Sequence, residues 1–297
     1  MLRMSWRRRR ANAPTITRTL ILLIALALGA CTPAEDPAPV TSESVATPSP
    51  APSAPNERPS QRREIISENL PYAEIGDGLV YGHFAIPADM IDPLPAVVIV
   101  HDWFGLNQTV RSAAERLAGD GFIVLAVDLF RGRTADTVGL ARELEIDVIE
   151  NTRLAEDNLR QAIDFIRISS GAPSIAIVGY GFGGGWALRT ALASPDRLDA
   201  AVSFYGQVIT DEDQLAEARV PFLGFFSASD RAVPVQTVRE FEASMRSLEK
   251  EASVNILEDV RRGFVDVASE NYDGAKAGEA WRTMVSFLTE QMSPGSD

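Results

Sequence analysis

Residues 175–192 form the stretch of this chain with the clearest chemical potential. Four apolar residues, 175–178, predict a buried strand, a glycine-rich turn follows, and residues 186–192 have the pattern of a helix. A strand, tight turn and helix of this kind serve two chemistries. The pattern G-x-nucleophile-x-G presents an attacking Ser or Cys, whereas G-x-G-x-x-G cradles the pyrophosphate of a dinucleotide. In the first case the nucleophile position is Gly181, which has no side chain.

The dinucleotide interpretation lacks its other requirements. Its fingerprint belongs at the first strand-to-helix turn of a domain, and an acidic residue should end the next strand. Here at least three predicted strands precede the turn, and the next strand ends at Tyr205 without an acid. Asp199 lies before that strand, at the wrong end of it. The pattern therefore favours a nucleophile elbow.

The elements that must position this turn alternate regularly between strands and helices. Apolar runs predict strands at residues 79–86, 96–100, 122–127, 175–178, 200–205, 222–226 and 254–257. Between most of these runs lie segments in which apolar residues recur at helical spacing. Such alternation predicts an α/β fold with a mainly parallel central sheet and helices on both faces. Residues at the carboxyl ends of the strands should therefore form the site.

Two segments after the turn fit the elbow interpretation. Triad residues on this type of scaffold follow the order nucleophile, acid, His. Asp230 comes just past the strand at 222–226, where the acid belongs, and residues 261–264 come past the last strand, where the His loop belongs.

In combination, several segments resemble the dienelactone hydrolase family, whose fold is the α/β-hydrolase fold. Residues 101–107, HDWFGLN, are similar to the family's H-E-W-F-G-L-N stretch, and residues 179–186, GYGFGGGW, to its G-(W/Y)-C-F-G-G-G-W elbow. Further blocks that resemble the family stand at residues 128–133, 204–207, 230–234, 271–272 and 280–283. The resemblance runs from about residue 79 to residue 288.

The resemblance implies attack by a Cys-Asp-His triad on an ester or lactone carbonyl. Carried over by position, the nucleophile falls on Gly181, the acid on Asp230 and the base on Arg262. Glycine cannot attack, and an arginine stays protonated and cannot accept a proton. No histidine follows His101 that could replace the base. The triad is therefore degenerate, and we predict that Gly181→Cys alone restores no activity.

The remaining site residues carry their own expectations. Arg262 should form an ion pair with Asp230 at the pocket floor, at about 2.7–3.0 Å, with a geometry that can be bidentate. By resemblance, His101, Asp102, Trp103 and Phe182 should belong to the pocket and its oxyanion loop. In the family the acid at the position of Asp102 helps to control the nucleophile. We expect His101 to be a hydrogen-bonded structural residue.

The N-terminus predicts a bacterial lipoprotein. Basic residues, the apolar run 20–28 and then Leu28-Gly29-Ala30-Cys31 resemble a signal peptide with a lipobox. We expect a signal peptide at 1–30, a lipidated Cys31 with a disordered tether rich in Pro, Ala and Ser at 31–63, a folded domain at 64–292 and a tail at 293–297. Thr32 after the cysteine resembles the signal for the periplasmic face of the outer membrane. The alternative is an ordinary signal peptide with a chance cysteine.

Charge and composition exclude several partners. The net charge is −13, and without residues 1–30 it becomes −19, from 22 basic and 41 acidic residues. Such a surface repels nucleic acid and anionic lipid, so only the lipid anchor should hold the chain at a membrane. One cysteine and two histidines cannot form a Cys/His zinc site, and we expect neither a metal nor a cofactor.

These observations support two hypotheses about function. The first is a non-catalytic domain that binds a small ester-like, lactone-like or anionic ligand, or an unspecified protein partner. The alternative is an active ester or lactone hydrolase that uses a non-standard residue, such as His101, or a water held by Asp102 or Asp230.

Overall fold

A computed structural model describes residues 63–293, which lie within one compact unit of residues 58–297. The predicted signal peptide, the lipidation site at Cys31 and almost all of the tether lie outside the described residues, as do residues 294–297. Within the described part of the chain, no helix combines the length and the apolar character that a membrane crossing needs.

The centre of the fold is an eight-stranded sheet in the order β1-β2-β4-β3-β5-β6-β7-β8. β1 and β2 pair antiparallel, β2 pairs antiparallel with β4, and all other neighbours are parallel. The predicted mainly parallel sheet is thus confirmed. The strands are β1 (Ile65–Ile75), β2 (Gly78–Pro87), β3 (Ala96–Val100), β4 (Ile123–Val127), β5 (Ile175–Tyr180), β6 (Ala200–Phe204), β7 (Phe222–Ser227) and β8 (Ala252–Leu257).

Helices cover both faces of this sheet, and each face has its own hydrophobic core. Side chains of α1 and α7 pack on one face, and side chains of α2 to α6 pack on the other. In β3, Val97 and Ile99 point to the first core, and Val98 and Val100 to the second, which explains its continuous apolar run. The helices are α1 (Gln108–Gly119), α2 (Val138–Glu150), α3 (Thr152–Ser170), α4 (Phe182–Ala193), α5 (Glu212–Leu215), α6 (Val235–Ser247) and α7 (Gly274–Gln291).

Three elements were not predicted from the sequence. β1 is an edge strand whose first half is largely exposed and polar, so it lacks an apolar run. α2 buries only Ala141, Leu144 and Val148 and leaves other aliphatic side chains in solvent, which blurs its periodicity. α5 is a single turn of four residues, too short for a periodic pattern.

Candidate functional site

The predicted elbow is present in the backbone. Gly181 joins β5 to α4 with φ +50° and ψ −111°, a region that glycine occupies at little cost. Its N–H donates to the Phe204 carbonyl oxygen at 2.8 Å, which ties the turn to β6. A Cβ on Gly179 would collide with the backbone of Gly183, so close packing of α4 against the strand requires glycine there. The glycine-rich turn thus retains elbow geometry without a nucleophile.

The space that a nucleophile would use is filled by the carboxylate of Asp102. A Cβ built on Gly181 would overlap all three atoms of that carboxylate group. Asp102 Oδ1 accepts hydrogen bonds from the Phe182 N–H at 3.0 Å and from the Trp103 N–H at 2.7 Å. The N–H after the nucleophile position and an N–H from the loop after β3 are the donors that form the oxyanion hole in this fold. The carboxyl group of Asp102 therefore occupies the hole.

Two carboxyl groups in this region have perturbed acidity. Burial raises the pKa of Asp102 above its usual range, while the charge of Arg262 and the two N–H donors oppose that shift. Glu145 on α2 lines the same cavity, where burial and then the charge of Asp102 raise its pKa. Repulsion by Asp102 thus adds to burial in favouring the neutral form of Glu145.

The predicted ion pair between Asp230 and Arg262 is confirmed, with a different geometry. Arg262 Nη1 lies 3.1 Å from Asp230 Oδ2, and the same nitrogen donates to the Tyr205 carbonyl oxygen at 2.6 Å. Sharing Nη1 with that carbonyl gives a single contact, slightly longer than expected, instead of a bidentate one. Asp230 Oδ1 accepts the N–H groups of Ala232 and Val233 at 2.8 and 3.3 Å. Arg262 lines the cavity, whereas Asp230 lies behind it.

His101 has the structural role that we expected. Its side chain is fully buried, Nδ1 lies 2.7 Å from the Asp102 carbonyl oxygen, and the Leu129 N–H donates to Nε2 at 3.1 Å. These partners place the proton on Nδ1 and occupy the lone pair of Nε2. Burial also lowers the pKa of His101. The alternative in which His101 serves as the base is therefore unsupported.

The cavity above the elbow has a volume of about 560 Å³. Asp102, Trp103 and Phe182 line it as predicted, but His101 does not, because it lies buried below the loop. The sequence did not indicate several further lining residues, among them four from α2, α4 and the loop after β6: Glu145, Ile149, Arg189 and Gln207. Glu145 and Ile149 could have been placed at the site only if the sequence had predicted helix α2 from its buried positions.

The described region contains no set of side chains arranged as metal ligands. Among residues 63–293, no group of three or more His, Cys, Asp or Glu side chains is placed to hold a metal ion.

Comparison with known proteins gives a consistent result. A family model described as the dienelactone hydrolase family matches residues 80–292. The protein named usf from Aquifex pyrophilus is 26% identical over 206 residues, which are 67% of this chain and 89% of that protein. A dienelactone hydrolase-like promiscuous phosphotriesterase from metagenomic libraries superposes with a TM-score of 0.71 at 21% identity, covering 77% of this chain and 99% of its own. For a dienelactone hydrolase from Anabaena variabilis the TM-score is 0.59 at 18% identity, with the same two coverages.

Proposed function

This chain belongs to the dienelactone hydrolase family, and from that premise we propose that it is a non-catalytic member that binds a small molecule above the elbow. The observation that carries the proposal is the position of Asp102. Its carboxylate accepts both N–H groups of the oxyanion hole and fills the space of the nucleophile.

Acyl transfer by the family's mechanism needs a nucleophile, a base and a vacant oxyanion hole. Position 181 offers no nucleophile, and Arg262 at the base position is a permanent cation bound to Asp230. Both N–H groups of the hole already donate to Asp102, so a developing negative charge on a substrate oxygen would find no donor. Each of the three requirements is missing independently.

The charges in the cavity favour a neutral ligand over an anionic one. Two acids, Asp102 and Glu145, and two cations, Arg189 and Arg262, line the cavity, so the lining charges balance. Arg262 also contacts Asp230 and the Tyr205 carbonyl already. Trp103, Ile149 and Trp186 add apolar surface to the walls. An aromatic ester or a lactone combines an apolar body with a polar carbonyl group and fits such walls.

We expect Ile149→Ala to weaken the binding of a neutral lactone such as dihydrocoumarin about fivefold. The loss of apolar contact corresponds to about 1 kcal/mol. Ligand-observed NMR titration of the purified chain measures the affinity and also shows whether the lactone stays intact.

Ile146→Ala is the matched control, because Ile146 lies exposed on the same helix and does not line the cavity. Binding that responds equally to both substitutions would contradict the proposed location. Hydrolysis of the lactone by the unaltered chain, lost on Asp230→Ala, would instead favour the active-enzyme alternative.

A further inference from the structure

A second cavity, of about 320 Å³, lies between α1, α7 and the carboxyl ends of β5 and β6. Asp102 lines both this cavity and the one above the elbow, but the other walls differ. Six aromatic side chains line the second cavity: Phe104, Tyr180, Phe204, Tyr205, Tyr272 and Trp281. No step in the proposed function uses it.

The aromatic walls of the second cavity are held in place. The ring of Tyr180 stacks on Phe204 with centroids 5.0 Å apart, and Tyr205 meets Phe204 edge-on at 6.5 Å. Tyr205 also has a left-handed φ of +44°, which costs a non-glycine residue about 1 kcal/mol or more. Packing of its ring in the core must offset that cost. The cavity is therefore built into the fold.

One cation of the chain itself lines this cavity. The guanidinium of Arg116 lies 3.9 Å from the centre of the Trp281 ring. Trp281 Nε1 donates to Asp120 Oδ2 at 2.8 Å, which fixes the indole plane. Aromatic faces attract cations through the ring quadrupole, most strongly where water is excluded. Arg116 thus shows that a ring of this lining accepts a cationic group.

Polar groups in the cavity have spare capacity to accept hydrogen bonds. The Tyr180 and Tyr205 hydroxyls have no hydrogen-bond partner within residues 63–293, and Tyr205 is 1% exposed. Asp266 Oδ1 accepts the Ala268 N–H at 2.9 Å, and Asp102 accepts only through Oδ1 in the described region. Burial, and then the negative charges of Asp102 and Asp266, hold the pKa of Tyr205 above its usual range. Asp102, Tyr205 and Asp266 all line this cavity.

We propose that this second cavity binds a small primary amine in its ammonium form, with an apolar or aromatic body against the rings. The three N–H groups of an ammonium match the free acceptors of the phenols and carboxylates. A quaternary ammonium lacks those donors, and an anion would be repelled by Asp102 and Asp266. Two carboxylates and one cation, Arg116, line the cavity, and Arg262 lies outside it, 5.2 Å from the Tyr205 ring centre. The net charge of −13 favours the approach of cations.

Titration of the full-length chain with phenethylamine at neutral pH, by calorimetry or NMR, tests this proposal. We expect phenethylamine to bind saturably. Two ligands of similar shape, the neutral phenethyl alcohol and the anion 3-phenylpropionate, should bind at least tenfold more weakly. Tyr205→Phe and Asp266→Asn should each weaken phenethylamine binding about tenfold, because the first removes an acceptor of the ammonium and the second removes a negative charge.

Asp213→Asn on α5 is the charge-matched control, since it removes an exposed acid that does not line the cavity. Equal weakening by Asp213→Asn and Asp266→Asn would overturn the proposal in favour of general surface attraction. Equal affinity for phenethyl alcohol and phenethylamine would overturn it in favour of a plain apolar cavity. Because Ile149 lines only the first cavity, phenethylamine binding unchanged by Ile149→Ala supports a separate site, whatever the outcome for lactones.

Discussion

The double variant Gly181→Cys/Arg262→His should remain a poor esterase until Asp102→Ala is added, which should raise the rate about 100-fold. Cys and His at these positions can complete a triad with Asp230, which already stands at the acid position. The new Cβ must push the Asp102 carboxylate aside, however, and that carboxylate still competes for the Phe182 and Trp103 N–H groups. A single oxyanion donor typically contributes about 100-fold or more to the rate, so emptying the hole decides the outcome.

Hydrolysis of p-nitrophenyl acetate, with circular dichroism to verify folding, measures this series. Gly181→Cys alone and Asp102→Ala alone serve as controls and should show no triad-dependent turnover, since both lack a base. A double variant as fast as the triple variant would show that Asp102 leaves the hole readily. That result would contradict the interpretation of Asp102 as a fixed occupant.

Arg262→Leu should lower the free energy of unfolding by about 3 kcal/mol. The substitution leaves the Asp230 carboxylate, whose side chain is only 3% exposed, without its cation. The carbonyl of Tyr205 also loses a donor at 2.6 Å. Urea unfolding at neutral pH measures the change.

Arg261→Leu provides the matched control, because Arg261 is the exposed neighbour in the same loop. The double variant Asp230→Asn/Arg262→Leu should lose less free energy of unfolding than the two single variants lose together, because it contains no unpaired charge at this pair. Additive effects, or an equal loss in Arg261→Leu, would show that the pair is not coupled.

The sequence predicted the fold well because most of the strands are buried on both faces. β3 spans residues 96–100 as predicted, and β7 extends the predicted run by one residue. The elements that were not predicted are those that burial marks weakly, above all the exposed half of β1 and the partly exposed helix α2. Helix α4 begins at Phe182, before the apolar pattern, because its first turn consists mostly of glycines packed against the strand.

The candidate site was only partly predictable. The pairing of Asp230 with Arg262 followed from their positions after β7 and β8, which the topology brings together. The placement of Asp102 in the oxyanion hole depends on a side-chain conformation that joins residues 80 positions apart, Asp102 and Phe182. Glu145 entered the site through α2, whose pattern gave no sign that this face meets the elbow. Such features depend on packing geometry, which residue types and spacing alone do not specify.

The central claim is tested most directly by mixing the unaltered chain with p-nitrophenyl acetate in stoichiometric amounts and measuring the release of p-nitrophenol. With Gly181 at the elbow, Arg262 at the base position and Asp102 in the oxyanion hole, we predict no burst and a rate equal to that of Asp230→Ala. A burst, or saturable turnover that Asp230→Ala abolishes, would contradict the claim that this site binds without catalysis.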